Sequence, residues 1–152
     1  MAQILHFLRG NSIHVMAITE SWLGKSIDNN SIELPGVQVP FRRDRHKNGG
    51  GVCLYISENL ACKRREDLEQ ECVELIRVEV YLSPQKRNHR PLLVGCCYRP
   101  PSASTIFYEH LETVLDKVTE RDILLLGDFN AKHQDWFIDD TTNCHGTSLR
   151  AF

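Results

Sequence analysis

The sequence lacks any long apolar run, since no stretch reaches the roughly 18 residues that a membrane-spanning helix requires. It also lacks an excess of either charge, because 18 Lys and Arg oppose 20 Asp and Glu for a net charge of −2. This balance neither predicts nor excludes a nucleic-acid partner. Internal repeats, linkers and low-complexity segments are missing too. With 41% hydrophobic and 25% charged residues, the 152 residues have the composition of one ordinary globular domain.

Paired metal-binding cysteines are also missing. The six cysteines contain no Cys-x-x-Cys pair, so a structural zinc site is not expected. Cys53, Cys96 and Cys97 lie within apolar, strand-like runs, which is typical of buried thiols. Residues 1–9 are typical of an amphipathic helix and lack the pattern of a signal peptide. We therefore expect reduced cysteines and an intracellular location, nuclear or cytoplasmic, rather than secretion.

Apolar periodicity predicts helices and strands in mixed order. Helices are predicted over residues 2–9, 105–119 and 147–152. Strands are predicted over residues 13–19, 37–43, 52–56, 72–82, 92–98 and 122–126. The polar segment 44–51 ends in three glycines and predicts the turn of a hairpin. Because helices fall between buried strands, the fold class is predicted to be α/β, or α+β, with layered elements.

Polar side chains follow three of the predicted strands. Glu20 follows the first, Tyr98 ends another, and Asp128 and Asn130 follow the last. In sheet-based folds, ligands collect where strands end and loops begin. Carboxylate oxygens suit Mg²⁺, while an amide and a phenol can donate hydrogen bonds to phosphate oxygens. The set therefore fits phosphoester hydrolysis.

Each of these residues also has a purely structural explanation. Glu20 could cap a helix or form a turn, and Tyr98 could be an aromatic residue that closes a strand. An Asp-x-Asn segment such as 128–130 is common in Asx turns. Gly127 favours a functional role for Asp128, because glycine lets the backbone approach a neighbour closely.

Five motifs occur in one order along the chain. They are Ile-Thr-Glu-Ser-Trp-Leu (18–23), Gly-Gly-Gly-Val-Cys-Leu-Tyr-Ile (49–56), Tyr-Arg-Pro-Pro (98–101), Leu-Leu-Leu-Gly-Asp-Phe-Asn-Ala-Lys-His (124–133) and, after Trp136, Thr-Asn-Cys-His-Gly-Thr-Ser-Leu (142–149). Together they resemble the endonuclease/exonuclease/phosphatase superfamily and, more narrowly, the endonuclease domain of non-LTR (LINE-like) retrotransposons. The resemblance spans nearly the whole chain.

The resemblance implies a four-layer α/β sandwich, with two sheets packed face to face and helices outside. It implies a phosphodiesterase that uses Mg²⁺ or Mn²⁺, nicks DNA, and needs no membrane or small-molecule cofactor. It also implies a reverse transcriptase domain in the parent element as a candidate partner. By position, Glu20 matches a metal-binding glutamate and Tyr98 a tyrosine that contacts phosphate. Asp128 matches the aspartate that activates water or protonates the leaving group, and Asn130 matches an asparagine that holds phosphate and that aspartate.

The family pattern also includes a first strand with a metal-binding asparagine and a C-terminal part with an aspartate and a Ser-Asp-His-like motif. Residues 1–152 contain neither, and His133 and His145 do not replace the missing histidine. We therefore expect a single partial domain whose nicking is reduced or lost. Two alternatives stay open: a non-catalytic remnant that binds nucleic acid or a partner, and a phosphatase acting on a small phosphate ester.

A basic run lies at the tip of the predicted hairpin. Its cations, Arg42, Arg43, Arg45 and Lys47, could contact a DNA backbone, although a solvated hairpin tip explains them equally well. A second basic loop over residues 86–90 has the same two explanations.

The two tryptophans are candidates for contact with a base. Trp22 and Trp136 could stack on a nucleobase, or they could pack against loops of the protein itself.

Overall fold

The computed structural model describes residues 2–45, 49–82, 90–118, 122–136 and 141–151. Its helices and strands, in chain order, are α1 (Ala2–Gly10), β1 (Val15–Thr19), β2 (Phe41–Arg43), β3 (Val52–Ile56), β4 (Ala61–Arg64), β5 (Glu74–Tyr81), β6 (Leu92–Tyr98), α2 (Ile106–Lys117), β7 (Ile123–Asp128) and α3 (Cys144–Arg150). Short 3₁₀ turns cover Asn29–Ser31 and Glu66–Leu68. None of the helices in these ranges is long and apolar enough to cross a membrane.

The chain divides into two compact units. The first comprises Met1–Tyr98 and Arg121–Gly127, and the second comprises Arg99–Glu120 and Asp128–Phe152.

Two sheets build the first unit. One has the strand order β1-β3-β2 and is antiparallel, which confirms the hairpin predicted around the glycine turn. The other has the order β4-β5-β6-β7, with antiparallel pairing from β4 to β6. β7 lies beside β6, where the amide of Leu93 donates to the carbonyl oxygen of Asp122 at 2.9 Å.

The core of the first unit lies between the two sheets. Alternate side chains of β3 face those of β5 and β6, as period-two strands require. The buried set is Val52, Leu54, Ile56, Ile76, Val78, Val80, Val94, Cys96 and Tyr98. On the other face of β3, Cys53 and Tyr55 pack with Leu8 of α1. The predicted mixed α/β class with two packed sheets is therefore confirmed.

All six cysteines carry free thiols, as the sequence predicted. Burial raises the pKa of the Cys53 thiol to about 11 and that of the Cys96 thiol to about 12. These two thiols are therefore protonated near neutral pH and serve as small core side chains.

The second unit contains α2 and α3. Phe107, Tyr108, Leu111 and Val114 of α2 are buried, in line with the predicted apolar face. Phe107 also packs edge-on against Phe129, with ring centroids 6.1 Å apart.

Three differences from the sequence predictions exceed the shifts of one or two residues seen at other element ends. Strand β4 was not predicted, because Ala61–Arg64 is half polar and lies at a sheet edge. The strand predicted over 37–43 is shorter, with β2 at Phe41–Arg43 and one isolated bridge from Val37 to Ser57. The last helix begins at Cys144 rather than at residue 147.

Candidate functional site

Glu20 directly follows β1 and is held as an ionised carboxylate. Its Oε2 accepts a hydrogen bond from the amide of Gly50 at 2.7 Å. The Tyr98 phenol also donates to this carboxylate, and so does the Trp22 indole. The bond from Tyr98, followed by that from Gly50, holds the pKa of Glu20 below its ordinary value although desolvation opposes them. The structure therefore brings together the predicted pair Glu20 and Tyr98, within the first unit.

The glycine turn before β3 supports this carboxylate. Gly49, Gly50 and Gly51 all have positive φ values, of 88°, 75° and 84°. The carbonyl oxygens of Gly50 and Gly51 accept hydrogen bonds from the amides of Trp22 and Ser21, each at 3.1 Å. A Cβ at Gly50 would lie 2.6 Å from Arg45 Cδ. Glycine is required here, because a side chain would be strained by the backbone and would meet a neighbour.

A second carboxylate is fixed by the same turn. Glu74 begins β5, and its Oε2 accepts from the amide of Gly51 at 2.6 Å. Its Oε1 lies 3.3 Å from Nε of Arg45. Sequence reasoning missed Glu74, because it begins an apolar strand and no local pattern separates it from an ordinary surface acid.

Asp128 and Asn130 form a tight turn in the second unit. Asp128 Oδ1 accepts from the amide of Asn130 at 2.8 Å, and Asn130 has a left-handed φ of 46°. The backbone of Arg99 bonds to both residues: its amide donates to the Asp128 carbonyl, and its carbonyl accepts from Asn130 Nδ2, each at 2.8 Å. The Asx turn is therefore real, and it also presents the two predicted residues together on one fixed loop.

Gly127 has the close approach that the sequence predicted. Its φ is 139°, and a Cβ at this position would overlap the carbonyl oxygen of Cys97 on the neighbouring strand β6. Only glycine lets the chain reach Asp128 along this path.

Asn143 secures the loop that follows Asn130. Its Oδ1 accepts from the amides of Lys132, at 3.1 Å, and Gly146, at 2.7 Å, so that it also caps α3. Its Nδ2 donates to the carbonyl oxygen of Asn130 at 3.1 Å. The sequence showed Asn143 only as part of a family motif, and the hydrogen bonds now show what it does.

A buried cation lies beside this loop. The Arg99 side chain is 0% exposed and donates from Nη2 to the Ala103 carbonyl oxygen at 2.5 Å. Nη2 also lies 2.6 Å from His145 Nε2, and the guanidinium lies 5.7 Å from the Tyr108 ring centroid. A guanidinium can only donate, so His145 Nε2 is the acceptor and the imidazole is neutral. Desolvation, followed by the charge of Arg99, lowers the pKa of His145.

The predicted DNA-contacting cations are largely engaged within the protein. Arg42 pairs with Asp44 and donates to the carbonyl oxygens of Ile27 and Gly24 at 2.7 and 2.9 Å. Nη1 of Arg43 lies 3.6 Å from Glu69. Arg45 is more exposed, although it pairs with Glu74. Lys47 and residues 86–89 of the second basic loop lie outside the described residues.

Acidic, phenolic and amide side chains thus lie at or just after the ends of strands, where loops on a rigid scaffold commonly carry functional residues. Residues 1–149 match the Endonuclease/Exonuclease/phosphatase family, and the chain belongs to that family. The resemblance to the endonuclease/exonuclease/phosphatase superfamily that the motifs indicate is therefore confirmed. A comparison with curated proteins gives no significant match.

Comparison with solved structures agrees on the fold. The chain is similar to the endonuclease domain of TRAS1, a telomere-specific non-LTR retrotransposon, with a TM-score of 0.73 over 99% of the present chain. The two share 15% sequence identity, so this likeness concerns the fold. The present chain spans 61% of that solved chain.

Proposed function

We propose that this protein hydrolyses phosphodiester bonds of DNA as a metal-dependent endonuclease that nicks one strand. The observation that carries the proposal is the ionised Glu20, which is held at the end of β1 by Tyr98 and Gly50. Membership of a family of nucleases and phosphatases supports it. The fold neighbour, an endonuclease domain of a retrotransposon, favours DNA as the substrate.

Glu20 supplies one of the oxygen ligands that a hard divalent cation needs. Glu20 is exposed and offers carboxylate oxygen, the ligand type that Mg²⁺ and Mn²⁺ prefer. Within the described ranges, no three His, Cys, Asp or Glu residues cluster as a metal site. Mg²⁺ often binds through one or two carboxylates while waters and substrate phosphates complete its shell, so Glu20 is a sufficient protein ligand for the proposal. When bound, such an ion would neutralise charge on the phosphate.

The remaining residues are assigned to the reacting atoms. Asp128 accepts the proton of a water whose oxygen attacks phosphorus, and the bond from phosphorus to O3′ breaks. The leaving O3′ takes up a proton, from the protonated Asp128 or from solvent water, to give a 3′ hydroxyl beside a 5′ phosphate. Asn130 donates one amide N–H to the Arg99 carbonyl oxygen, and its second N–H is assigned to donate to a phosphate oxygen. The Tyr98 hydroxyl contacts either Glu20 or the phosphate.

The surroundings of this reaction complete the proposal. Arg45, the most exposed of the described hairpin cations, is the proposed contact to the DNA backbone. We assign the reaction to the nucleus, where genomic DNA lies, with a reverse transcriptase of the parent element as partner for the freed 3′ hydroxyl.

Conversion of supercoiled plasmid to the nicked circle tests the proposal. Purified protein is incubated with Mg²⁺ or Mn²⁺, and with EDTA as a control. Asp128→Ala is compared with Asp116→Ala, an exposed aspartate of α2. Glu20→Gln is compared with Glu58→Gln, whose side chain is also exposed. We expect nicking that EDTA, Asp128→Ala and Glu20→Gln abolish, and that both control variants retain.

Two results would contradict the proposal. Nicking that survives in Asp128→Ala or Glu20→Gln at the rate of its control variant would show that the substituted residue does not carry the reaction. A folded protein that nicks nothing under these conditions would be a non-catalytic remnant, or a phosphatase if it hydrolyses p-nitrophenyl phosphate instead.

A further inference from the structure

Trp22 is the most exposed of the large apolar side chains in the described residues. Its side chain is 70% exposed, against 38% for Trp136, the other tryptophan of the chain. The ring of Trp136 lies against His133, with centroids 5.5 Å apart. Trp136 therefore packs against a loop of the protein itself, whereas most of Trp22 faces solvent.

The exposed ring of Trp22 is also held in place. Its amide donates to the Gly50 carbonyl oxygen at 3.1 Å, and its indole N–H donates to the Glu20 carboxylate. A Cβ added at Gly49 would lie 3.6 Å from Cζ2 of the ring, so the glycine leaves the indole room. Gly50 thus holds the main chain of Trp22 and Glu20 holds the N–H edge of its indole, while most of the residue faces solvent.

The backbone of Trp22 is strained. Its φ is 54°, a left-handed value that bulky residues rarely adopt, and Glu20 two residues earlier has a φ of 52°. Such strain persists where surrounding bonds impose it, and it is frequent at ligand-binding positions. A strained, fixed and exposed aromatic ring that donates to Glu20 is poorly explained by protein packing alone.

We infer that Trp22 is a stacking platform for a nucleobase of the DNA strand being cut. A flat, rigid indole face can stack on any base without reading its sequence. The choice of DNA as ligand rests on the proposed function, which puts a phosphate at Glu20, the residue that the indole edge touches. A DNA strand whose phosphate lies at Glu20 also brings the neighbouring base close to Trp22, and that base supplies the flat group that stacks on the indole.

Tryptophan fluorescence tests the inference without any cleavage. Trp136→Phe leaves Trp22 as the sole tryptophan, and Trp22→Phe leaves Trp136, so that selective excitation of tryptophan reports on one residue at a time. Each protein is titrated in EDTA with a mixed-sequence DNA oligonucleotide, single-stranded or duplex, and with an abasic oligonucleotide of the same length. We expect the oligonucleotide with bases to quench Trp136→Phe, the abasic strand to leave it nearly unchanged, and Trp22→Phe to respond little to either.

Affinity gives a second readout. Trp22→Ala should weaken binding of the base-containing oligonucleotide by about 5- to 150-fold, as expected for the loss of one stacking contact of about 1–3 kcal/mol. Trp22→Phe, which keeps an aromatic face, should lie between Trp22→Ala and the wild type. Binding of the abasic strand should be equal in all three.

The results separate this inference from the proposed hydrolysis. Base-dependent quenching of Trp22 in a protein that does not nick would support stacking and overturn the hydrolysis. Nicking by a protein whose Trp22 is not quenched, or is quenched equally by the abasic strand, would overturn stacking and leave the hydrolysis standing. Quenching that depends on protein concentration alone would identify a second copy of the chain as the occupant, and would overturn the inference.

Discussion

Asn143 donates a hydrogen bond from its Nδ2 to the carbonyl oxygen of Asn130, at 3.1 Å. The same side chain accepts two hydrogen bonds through Oδ1, from the amides of Lys132 and Gly146. One amide group thus ties the loop that carries Asn130 to the first turn of α3. The two polar atoms of this amide have different roles: Oδ1 caps α3, and Nδ2 holds the loop that carries Asn130.

Substitution can separate these two tasks. Asn143→Ala removes both, and we expect the free energy of unfolding to fall by about 1–2 kcal/mol, together with a loss of nicking. Asn143→Asp keeps an acceptor for the cap but loses the donor to Asn130, so it should fold nearly as well and nick more slowly. Urea denaturation and plasmid nicking measure the two effects, with exposed Asn59→Ala as the control. Wild-type nicking by Asn143→Asp would show that the bond to Asn130 has no positioning role.

Gly127→Ala should destabilise the protein severely. The added methyl group would overlap the carbonyl oxygen of Cys97, and the φ of 139° is one that alanine rarely adopts. We expect a loss of at least about 3 kcal/mol in the free energy of unfolding, or no soluble protein at all. Gly24→Ala is the matched control, since nothing lies within 4 Å of a Cβ there. Equal denaturation midpoints for the two variants would contradict the described approach of β7 to β6.

Stability should fall as the pH drops, in part because of His145. Its pKa is lowered in the folded protein, so the unfolded chain binds more protons in mildly acidic solution. The contribution is fully present above the unfolded pKa of about 6.5 and is lost as the pH falls through the lower folded value. Protonation would also place a second donor against Arg99 Nη2.

Thermal unfolding between pH 7.5 and pH 5 measures this effect. His145→Gln retains an acceptor for Arg99 and does not titrate, so its melting temperature should depend less on pH than that of the wild type. His14→Gln, at an exposed position, should follow the wild type. Parallel curves for wild type and His145→Gln would show that His145 does not titrate with folding.

The thiols should fall into reactive and unreactive groups. Cys72 and Cys144 are exposed, so iodoacetamide should label them first in the native protein near neutral pH. Cys53 and Cys96 should resist, because burial both shields them and raises their pKa values to about 11 and about 12. Peptide mass spectrometry of native and urea-unfolded samples makes the comparison. Rapid native labelling of Cys96 would contradict the core between the sheets.

Much of the fold could be predicted from the sequence, and so could the candidate site residues that lie at the ends of strands. The period-two alternation of β5 and the apolar runs of β3 and β6 mark buried strands, and Glu20, Tyr98 and Asp128 were identified because each lies where such a run ends. Edge strand β4 was missed, because a sheet edge tolerates polar residues and leaves a weak pattern.

The supporting partners of the site could not be predicted. Arg99 and His145 are 46 positions apart, and Gly50 lies 30 positions from the carboxylate that it binds. No local propensity reports contacts of that range. The partners of the basic run could not be predicted either, because composition does not show that Arg42 pairs with Asp44 and donates to a backbone carbonyl.

The glycine turn makes the hairpin between β2 and β3 intolerant of changes in its length. Hairpin tips commonly tolerate insertions and deletions, because their residues support nothing else. Here the amides of Gly50 and Gly51 hold two carboxylates, and their carbonyl oxygens hold the chain after β1. Adding or removing one residue within 49–51 would shift the register of all these bonds at once. The hairpin is therefore a segment in which length, as much as composition, sets where Glu20 and Trp22 point.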